Sequence, residues 1–182
     1  MEYKAMLNFM SEDTLRAHLS HLDGLRSRLS FLKKCYPTFK DKTAGELASL
    51  RHCSRLPREL FLCALNVFLH EQYFSSFTEI PLPCREVKSY YTSENAFCYE
   101  LLSAARETDS GFVYAVRDKR RGVRIVSDPL CEKPLLADRL LSLDLSEHAY
   151  FSDYGFNRDE YLRRAIAYLD LPKLFSEDGK TS

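Results

Sequence analysis

Two stripes of apolar residues, spaced three and four residues apart like one face of a helix, constrain the fold of this chain most strongly. The first stripe begins after the polar residues at 11–14 and contains Leu15, His18, Leu22, Leu25, Leu29 and Leu32. The second begins after Pro57 and contains Leu62, Asn66, Leu69, His70, Tyr73 and Phe77. This spacing predicts two amphipathic helices. The first should end near Pro37, because proline cannot continue a helix, and the short connector predicts an antiparallel helical hairpin.

The pattern changes after residue 80. Two prolines within 80–83 predict an extended linker. A polar start at Ser93 predicts a third helix that ends at about residue 106. Beyond residue 110 the chain is rich in β-branched residues, and we expect strands at 112–116, 123–126 and 140–144, with a hairpin turn at 118–122. A last helix is predicted over 159–171, followed by a frayed tail.

This order of elements predicts an α+β fold. We expect an N-terminal helical hairpin domain over residues 1–80. A C-terminal domain over residues 81–182 should hold a small three-stranded antiparallel sheet flanked by helices.

Charge and cysteine content exclude several classes of function. Lysine plus arginine and aspartate plus glutamate each number 26, so the chain has no net charge to attract nucleic acid or an anionic membrane. No apolar run is long enough to span a membrane, and the N-terminus does not resemble a secretory signal. The six cysteines form no metal-binding pair and are expected to be reduced thiols. These features favour a cytoplasmic protein.

Three of the five histidines lie where a side chain should point inward. His18 and His70 belong to the two apolar stripes, and His148 lies four residues after Asp144, at the end of the predicted third strand. Imidazole and carboxylate are ligands of redox metals, but each histidine alone is better explained as a core residue. His21 is an alternative ligand to His18, although it and His52 are more simply assigned to the surface.

Together these residues resemble a known family. The segment from Asp144 to Phe151 reads D-L-S-E-H-A-Y-F and resembles the D-x-W-E-H-A-Y-Y signature of iron/manganese superoxide dismutases. The residues at 153–162 continue the resemblance as the family's D-Y-x-N-x-R-x-x-Y-L segment, and those at 93–111 are similar to the segment before its G-S-G-W strand. Residues 11–18 resemble its S-x-E-T-x-x-x-H helix, and residues 69–74 its N-H-x-x-Y-W helix. The resemblance covers most of the chain.

The resemblance implies a superoxide dismutase that converts superoxide to oxygen and hydrogen peroxide. It implies one iron or manganese ion per subunit, held between the two domains, with a solvent molecule as a further ligand. The implied protein ligands are His18, His70, Asp144 and His148. It also implies a homodimer in which Glu147 reaches the other subunit's fourth ligand.

The chain departs from the family around these ligands. Arg26 stands where the family has its gateway tyrosine, and Leu22 and Phe151 replace a histidine and a tyrosine that meet across the dimer interface. The glutamine that contacts the bound solvent corresponds to Asn66 or Thr108. Three tryptophans that wall the site correspond to Phe74, Phe112 and Ser146, while Tyr73 and Tyr150 are retained. We expect Asn66, Tyr73, Glu147 and Arg26 to act beside the ligands.

Two alternatives follow from these departures. The first is a metal-binding homologue with lost or altered activity that serves as a structural or interaction protein. The second is a closed zinc site, since zinc also accepts histidine and aspartate ligands.

Overall fold

The computed structural model describes residues 3–50, 55–118, 122–128 and 139–175. Its helices are α1 (Glu12–Cys35), α2 (Ala44–Ser49), α3 (Arg58–Phe74), α4 (Glu94–Glu107), α5 (Glu147–Tyr154), α6 (Arg158–Ala167) and α7 (Leu171–Phe175). Its strands are β1 (Phe112–Asp118), β2 (Gly122–Asp128) and β3 (Arg139–Asp144). The predicted α+β fold is confirmed. His52, Cys53, Cys131, the centre of the predicted turn and the tail at 176–182 lie outside the described residues.

The helices α1 and α3 form the predicted hairpin. Ser11 caps α1 by accepting a hydrogen bond from the Thr14 N–H at 3.2 Å, and acidic residues in the first turn face the positive end of the helix dipole. The helix ends at Cys35, two residues before Pro37. The apolar face of α1 packs against α3, and α2 packs on α3 from another side.

The three strands form one antiparallel sheet in the order β2-β1-β3. Gly122 supplies a φ of +75° where the chain enters β2, a conformation that other residues rarely adopt. The register places Phe112 opposite Asp144, so the start of β1 lies beside the end of β3. The strand β3 packs against α3. The helix α4 packs against β1 and β2.

Two predicted helix ends are wrong. The second helix stops at Phe74, and the predicted last helix is broken into α6 and α7. Phe77, just after α3, and Leu169, between α6 and α7, form an antiparallel bridge. In it the Thr78 N–H donates to Tyr168 O at 2.9 Å. The main-chain groups that would extend both helices are used in this pairing, which local periodicity does not predict.

The start of α1 is tied to the end of α5. The main-chain N–H of Ser11 donates to Asp153 Oδ2 at 2.7 Å, and the Tyr154 hydroxyl donates to the main-chain oxygen of Phe9. These contacts hold α5 against α1 and bring their inward faces together. The division into domains at residue 80 stays a prediction.

The cysteines that the structure describes are free thiols. Burial raises the pKa of Cys63 and Cys98, and burial together with Glu86 raises the pKa of Cys84 to about 11. These thiols are therefore protonated and unreactive at neutral pH. No helix within the described residues is both long and apolar enough to cross a membrane.

Candidate metal centre

Four side chains converge from four separate elements. His18 comes from α1, His70 from α3, Asp144 from the end of β3 and His148 from the first turn of α5. Each offers one ligand atom, and these atoms all lie within 4.8 Å of one another. The four positions named from the sequence are therefore adjacent in space.

The distances between the ligand atoms suit a shared ion. Asp144 Oδ2 lies 3.1 Å from His18 Nε2, 3.4 Å from His70 Nε2 and 3.1 Å from His148 Nε2. The Nε2 atoms of His70 and His148 are 3.3 Å apart. Ligands about 2.1 Å from one ion are separated by about 3.0 to 3.4 Å when they are neighbours in its coordination sphere. These four separations match those of neighbouring ligands around one ion.

Burial supports this interpretation. The side chains of His18 and Asp144 are fully buried, and that of His70 is 3% exposed. Even so, His18 Nε2 and Asp144 Oδ2 have no hydrogen-bond partner of good geometry within the described residues. Buried polar atoms normally have partners. Both atoms are instead free to donate an electron pair to a common cation.

The Asp144 carboxylate is oriented by a main-chain hydrogen bond at the start of α5. Its Oδ1 accepts a hydrogen bond from the Ser146 N–H at 2.9 Å, which directs Oδ2 toward the three imidazoles. Burial by itself raises the pKa of Asp144, but the nearby imidazoles of His148 and His18 outweigh burial and lower it below its ordinary value. The carboxylate is therefore ionised and available as an oxygen ligand.

The His70 ring is fixed in one tautomer. Its Nδ1 lies 2.8 Å from the main-chain oxygen of Asn66, and a carbonyl oxygen can only accept, so Nδ1 carries the hydrogen. This leaves a lone pair on Nε2, the atom that faces Asp144. Burial lowers the pKa of His70 to about 4, against the opposing effect of Asp144. The ring is thus neutral at physiological pH.

Two buried tyrosines are hydrogen-bonded in sequence to the main chain of Asp144. The Tyr161 hydroxyl donates to the main-chain oxygen of Asp144 at 2.9 Å, and the hydroxyls of Tyr73 and Tyr161 are 3.0 Å apart. Because Tyr161 uses its hydrogen on a carbonyl, its oxygen must accept the hydrogen of Tyr73. Burial raises the pKa of both tyrosines well above its ordinary value. They therefore act as neutral hydrogen-bond donors.

Aromatic rings enclose the ligands on the buried side. Phe74 lies 4.9 Å from the His18 ring and Phe112 lies 5.0 Å from the His70 ring, both measured between centroids. The Tyr73 ring lies 5.0 Å from that of His18. The two phenylalanines assigned to wall positions thus contact ligands, while Ser146 acts through its main chain.

Three other residues named from the sequence have hydrogen-bond partners outside the cluster of four. Asn66 Nδ2 donates one of its two hydrogens to Leu62 O at 3.0 Å, and Thr108 Oγ1 donates to Ala104 O at 2.8 Å, so each side chain is bonded to a main-chain oxygen one turn earlier. Arg26 donates through Nε and Nη2 to Glu71 Oε1, at 3.1 and 3.0 Å. It thereby links α1 to α3.

Of the residues expected at a dimer interface, Glu147 and Phe151 are exposed and Leu22 is buried within the chain. Glu147 is exposed and has no hydrogen bond or ion pair with another described residue. The Phe151 side chain is 43% exposed, whereas Leu22 is fully buried. Their predicted roles between subunits remain predictions.

The sequence assignment of His21 missed its main contacts. His21 is exposed, but its ring lies 4.3 Å from the His148 ring and 5.2 Å from the His70 ring. Partial burial, followed by the neighbouring His148 and His18, lowers the pKa of His21. His18 rather than His21 belongs to the four-residue ligand cluster. The three-residue spacing from His18 was the one signal for this contact.

Comparison with models of protein families places this geometry in a known class. Residues 84–174 match the model of the C-terminal domain of iron/manganese superoxide dismutases. The match spans half of the chain and includes Asp144 and His148. The chain belongs to the iron/manganese superoxide dismutase family. None of the curated proteins compared with the chain matches it significantly.

Proposed function

We propose that the chain binds one iron or manganese ion through His18, His70, Asp144 and His148 and acts as a superoxide dismutase. The convergence of three imidazole nitrogens on one buried carboxylate oxygen, at 3.1 to 3.4 Å, carries this proposal. The family's ion supplies a one-electron couple that oxidises one superoxide to oxygen and reduces another to hydrogen peroxide.

The donor set explains why a small anion would be attracted. Three neutral imidazoles and one carboxylate leave two positive charges on a trivalent ion and one on a divalent ion. The surrounding phenylalanines exclude water on the buried side. Because the dielectric constant is lower there, the positive charge attracts an anion more strongly. Access is from the side of His148, whose side chain is 34% exposed.

Protons for the reduced superoxide have to reach the site from that same side. The Thr108 hydroxyl and one hydrogen of the Asn66 amide are bonded to main-chain oxygens one turn earlier, and Tyr73 donates to Tyr161. We therefore assign proton supply to water entering beside His148. Tyr73 holds Asp144 through Tyr161, and Arg26 links α1 to α3 by its ion pair with Glu71, the residue that follows His70.

The same observations favour a second candidate, a metal-binding homologue without dismutase activity. The Asn66 amide donates to Leu62 O, and position 26 holds an arginine paired with Glu71 in place of the family's gateway tyrosine. A metal held by the same four ligands would then stabilise the fold, and the protein would have a structural role or bind a partner.

The deciding experiment measures metal content and activity on one preparation. The protein is expressed with added iron or manganese, analysed for iron, manganese and zinc, and tested for superoxide decay by stopped flow across pH. We expect about one iron or manganese ion per chain and accelerated decay. Bound iron or manganese without acceleration, after reloading with either metal, would favour the inactive homologue; predominant zinc, in protein made without excess zinc, would favour the closed zinc site.

Matched variants identify the ligands. Asp144→Asn should lose most of the metal, because a neutral amide replaces the only charged ligand. Asp109→Asn makes the same change at an exposed position and should retain it. His18→Ala should abolish metal binding, while His21→Ala should still load one ion per chain.

We also propose a homodimer and a cytoplasmic location. A second copy would bring its Glu147 to the exposed edge of His148, where a carboxylate could accept the Nδ1 hydrogen. The free thiols of the described cysteines suit a reducing compartment.

A further inference from the structure

His148 is the least constrained of the four proposed ligands. Its side chain is 34% exposed, whereas His18 and Asp144 are fully buried. The His70 ring is fixed by a hydrogen bond from its Nδ1. Within the described part of the chain neither His18 Nδ1 nor His148 Nδ1 has such a partner, but the His18 ring is held by complete burial. A metal-binding histidine usually needs a second contact to hold the ring in its binding orientation.

His21 supplies a contact of another kind. It lies on α1, about one helical turn after His18, and therefore on the same side of the helix. Unlike His18, it is exposed to solvent. Its ring centroid is 4.3 Å from that of His148, with an angle of 32° between the planes. This is within the range of a tilted, stacked ring pair. His21 thus covers the face of His148, while Nε2 of His148 points at Asp144.

We propose that His21 is a positioning residue that holds His148 against the bound ion by ring stacking. This inference rests on the metal site proposed above. Stacking restricts the tilt of the His148 ring, whereas a carboxylate from a second subunit would restrict its edge, so the two contacts complement each other. The ring matters here rather than its nitrogens, because no nitrogen of His21 belongs to the cluster of converging ligand atoms.

The exchange of His21 for alanine and for phenylalanine tests this role. Both variants and the wild type are loaded with Mn²⁺, and the loss of the ion to excess chelator is followed in time. Electron paramagnetic resonance of the bound Mn²⁺ reports the geometry of its ligands. His21→Ala should lose the ion about three- to tenfold faster, the effect expected for one aromatic ring pair, with an altered spectrum. His21→Phe should restore both the rate and the spectrum.

Several results would overturn the proposal. Unchanged ion loss in His21→Ala would show that the ring contact does not hold His148. Equal defects in the alanine and phenylalanine variants would show that a nitrogen of His21 is needed. A lowered denaturation midpoint of metal-free His21→Ala would assign the effect to the fold. Ser20→Ala, an exposed change on the same helix, should match the wild type. A wild-type protein that binds neither iron nor manganese would instead refute the proposed function.

Discussion

The direction of hydrogen donation beneath the site predicts unequal effects for two similar substitutions. Tyr161 donates to Asp144 O and accepts from Tyr73, and all three residues are buried. Tyr161→Phe therefore removes the donor of the Asp144 carbonyl and the acceptor of the Tyr73 hydroxyl at once. Each buried polar group left without a partner costs about 1 to 3 kcal/mol. We expect Tyr161→Phe to lower the free energy of unfolding by about 2 to 5 kcal/mol.

Tyr73→Phe should be milder. It removes only the hydrogen donated to Tyr161, and Tyr161 can still donate to Asp144, so the loss is that of one ordinary hydrogen bond, about 1 kcal/mol. The double variant should cost less than the sum of the single ones, because Tyr73→Phe also removes the hydroxyl that Tyr161→Phe leaves unpaired.

Urea unfolding of the metal-free protein measures these energies. The metal-loaded protein should show the same order, and Tyr161→Phe should also weaken metal retention, since Asp144 loses its main-chain support. A larger loss of stability in Tyr73→Phe than in Tyr161→Phe would refute the deduced direction. Additive effects in the double variant would show that the two hydroxyls are not coupled.

Three further predictions concern pH and assembly. In the metal-free protein, the pKa of His70, lowered by burial to about 4 from 6.5, favours folding above pH 6.5; about 3 kcal/mol should be lost as the pH falls to 4. Urea unfolding of His70→Gln should show a weaker pH dependence, and an equal slope would contradict this. The hydrogen bonds from Arg106 and Arg163 lower the pKa of Asp159 to about 2, so their stabilisation is present above pH 3.8 and lost toward pH 2. Asp159→Asn should remove that pH dependence in thermal unfolding. Glu147→Gln should weaken the proposed dimer on dilution in analytical ultracentrifugation, whereas unchanged dissociation would exclude an interface role for Glu147.

The parts of the fold that depend on local pattern could be predicted from the sequence. The apolar stripes defined α1 and most of α3, and the β-branched runs defined the sheet, because each pattern reflects the face that an element buries. The ligand positions followed from the family resemblance, and the structure brings those four residues together.

The errors arose where contacts join distant residues. The end of α3 and the break between α6 and α7 depend on the pairing of Phe77 with Leu169, which no local pattern records. The ion pair of Arg26 with Glu71 also joins two helices, so the sequence did not show it, and the role of Arg26 beside the ligands stays a prediction. The assignment of His21 to the surface is confirmed, but spacing along α1 could not show that α5 brings His148 over its ring.

The bridge between Phe77 and Leu169 has a consequence for biosynthesis. The segment at 76–78 pairs with residues 168–170, which are synthesised about 90 residues later. Contacts between residues so distant in sequence form slowly. The pairing that follows α3 therefore cannot form until nearly the whole described chain has left the ribosome. A nascent chain would expose the apolar face of the helical hairpin during this interval, so we expect early folding intermediates to need chaperones. Insertion of the metal then has to follow translation.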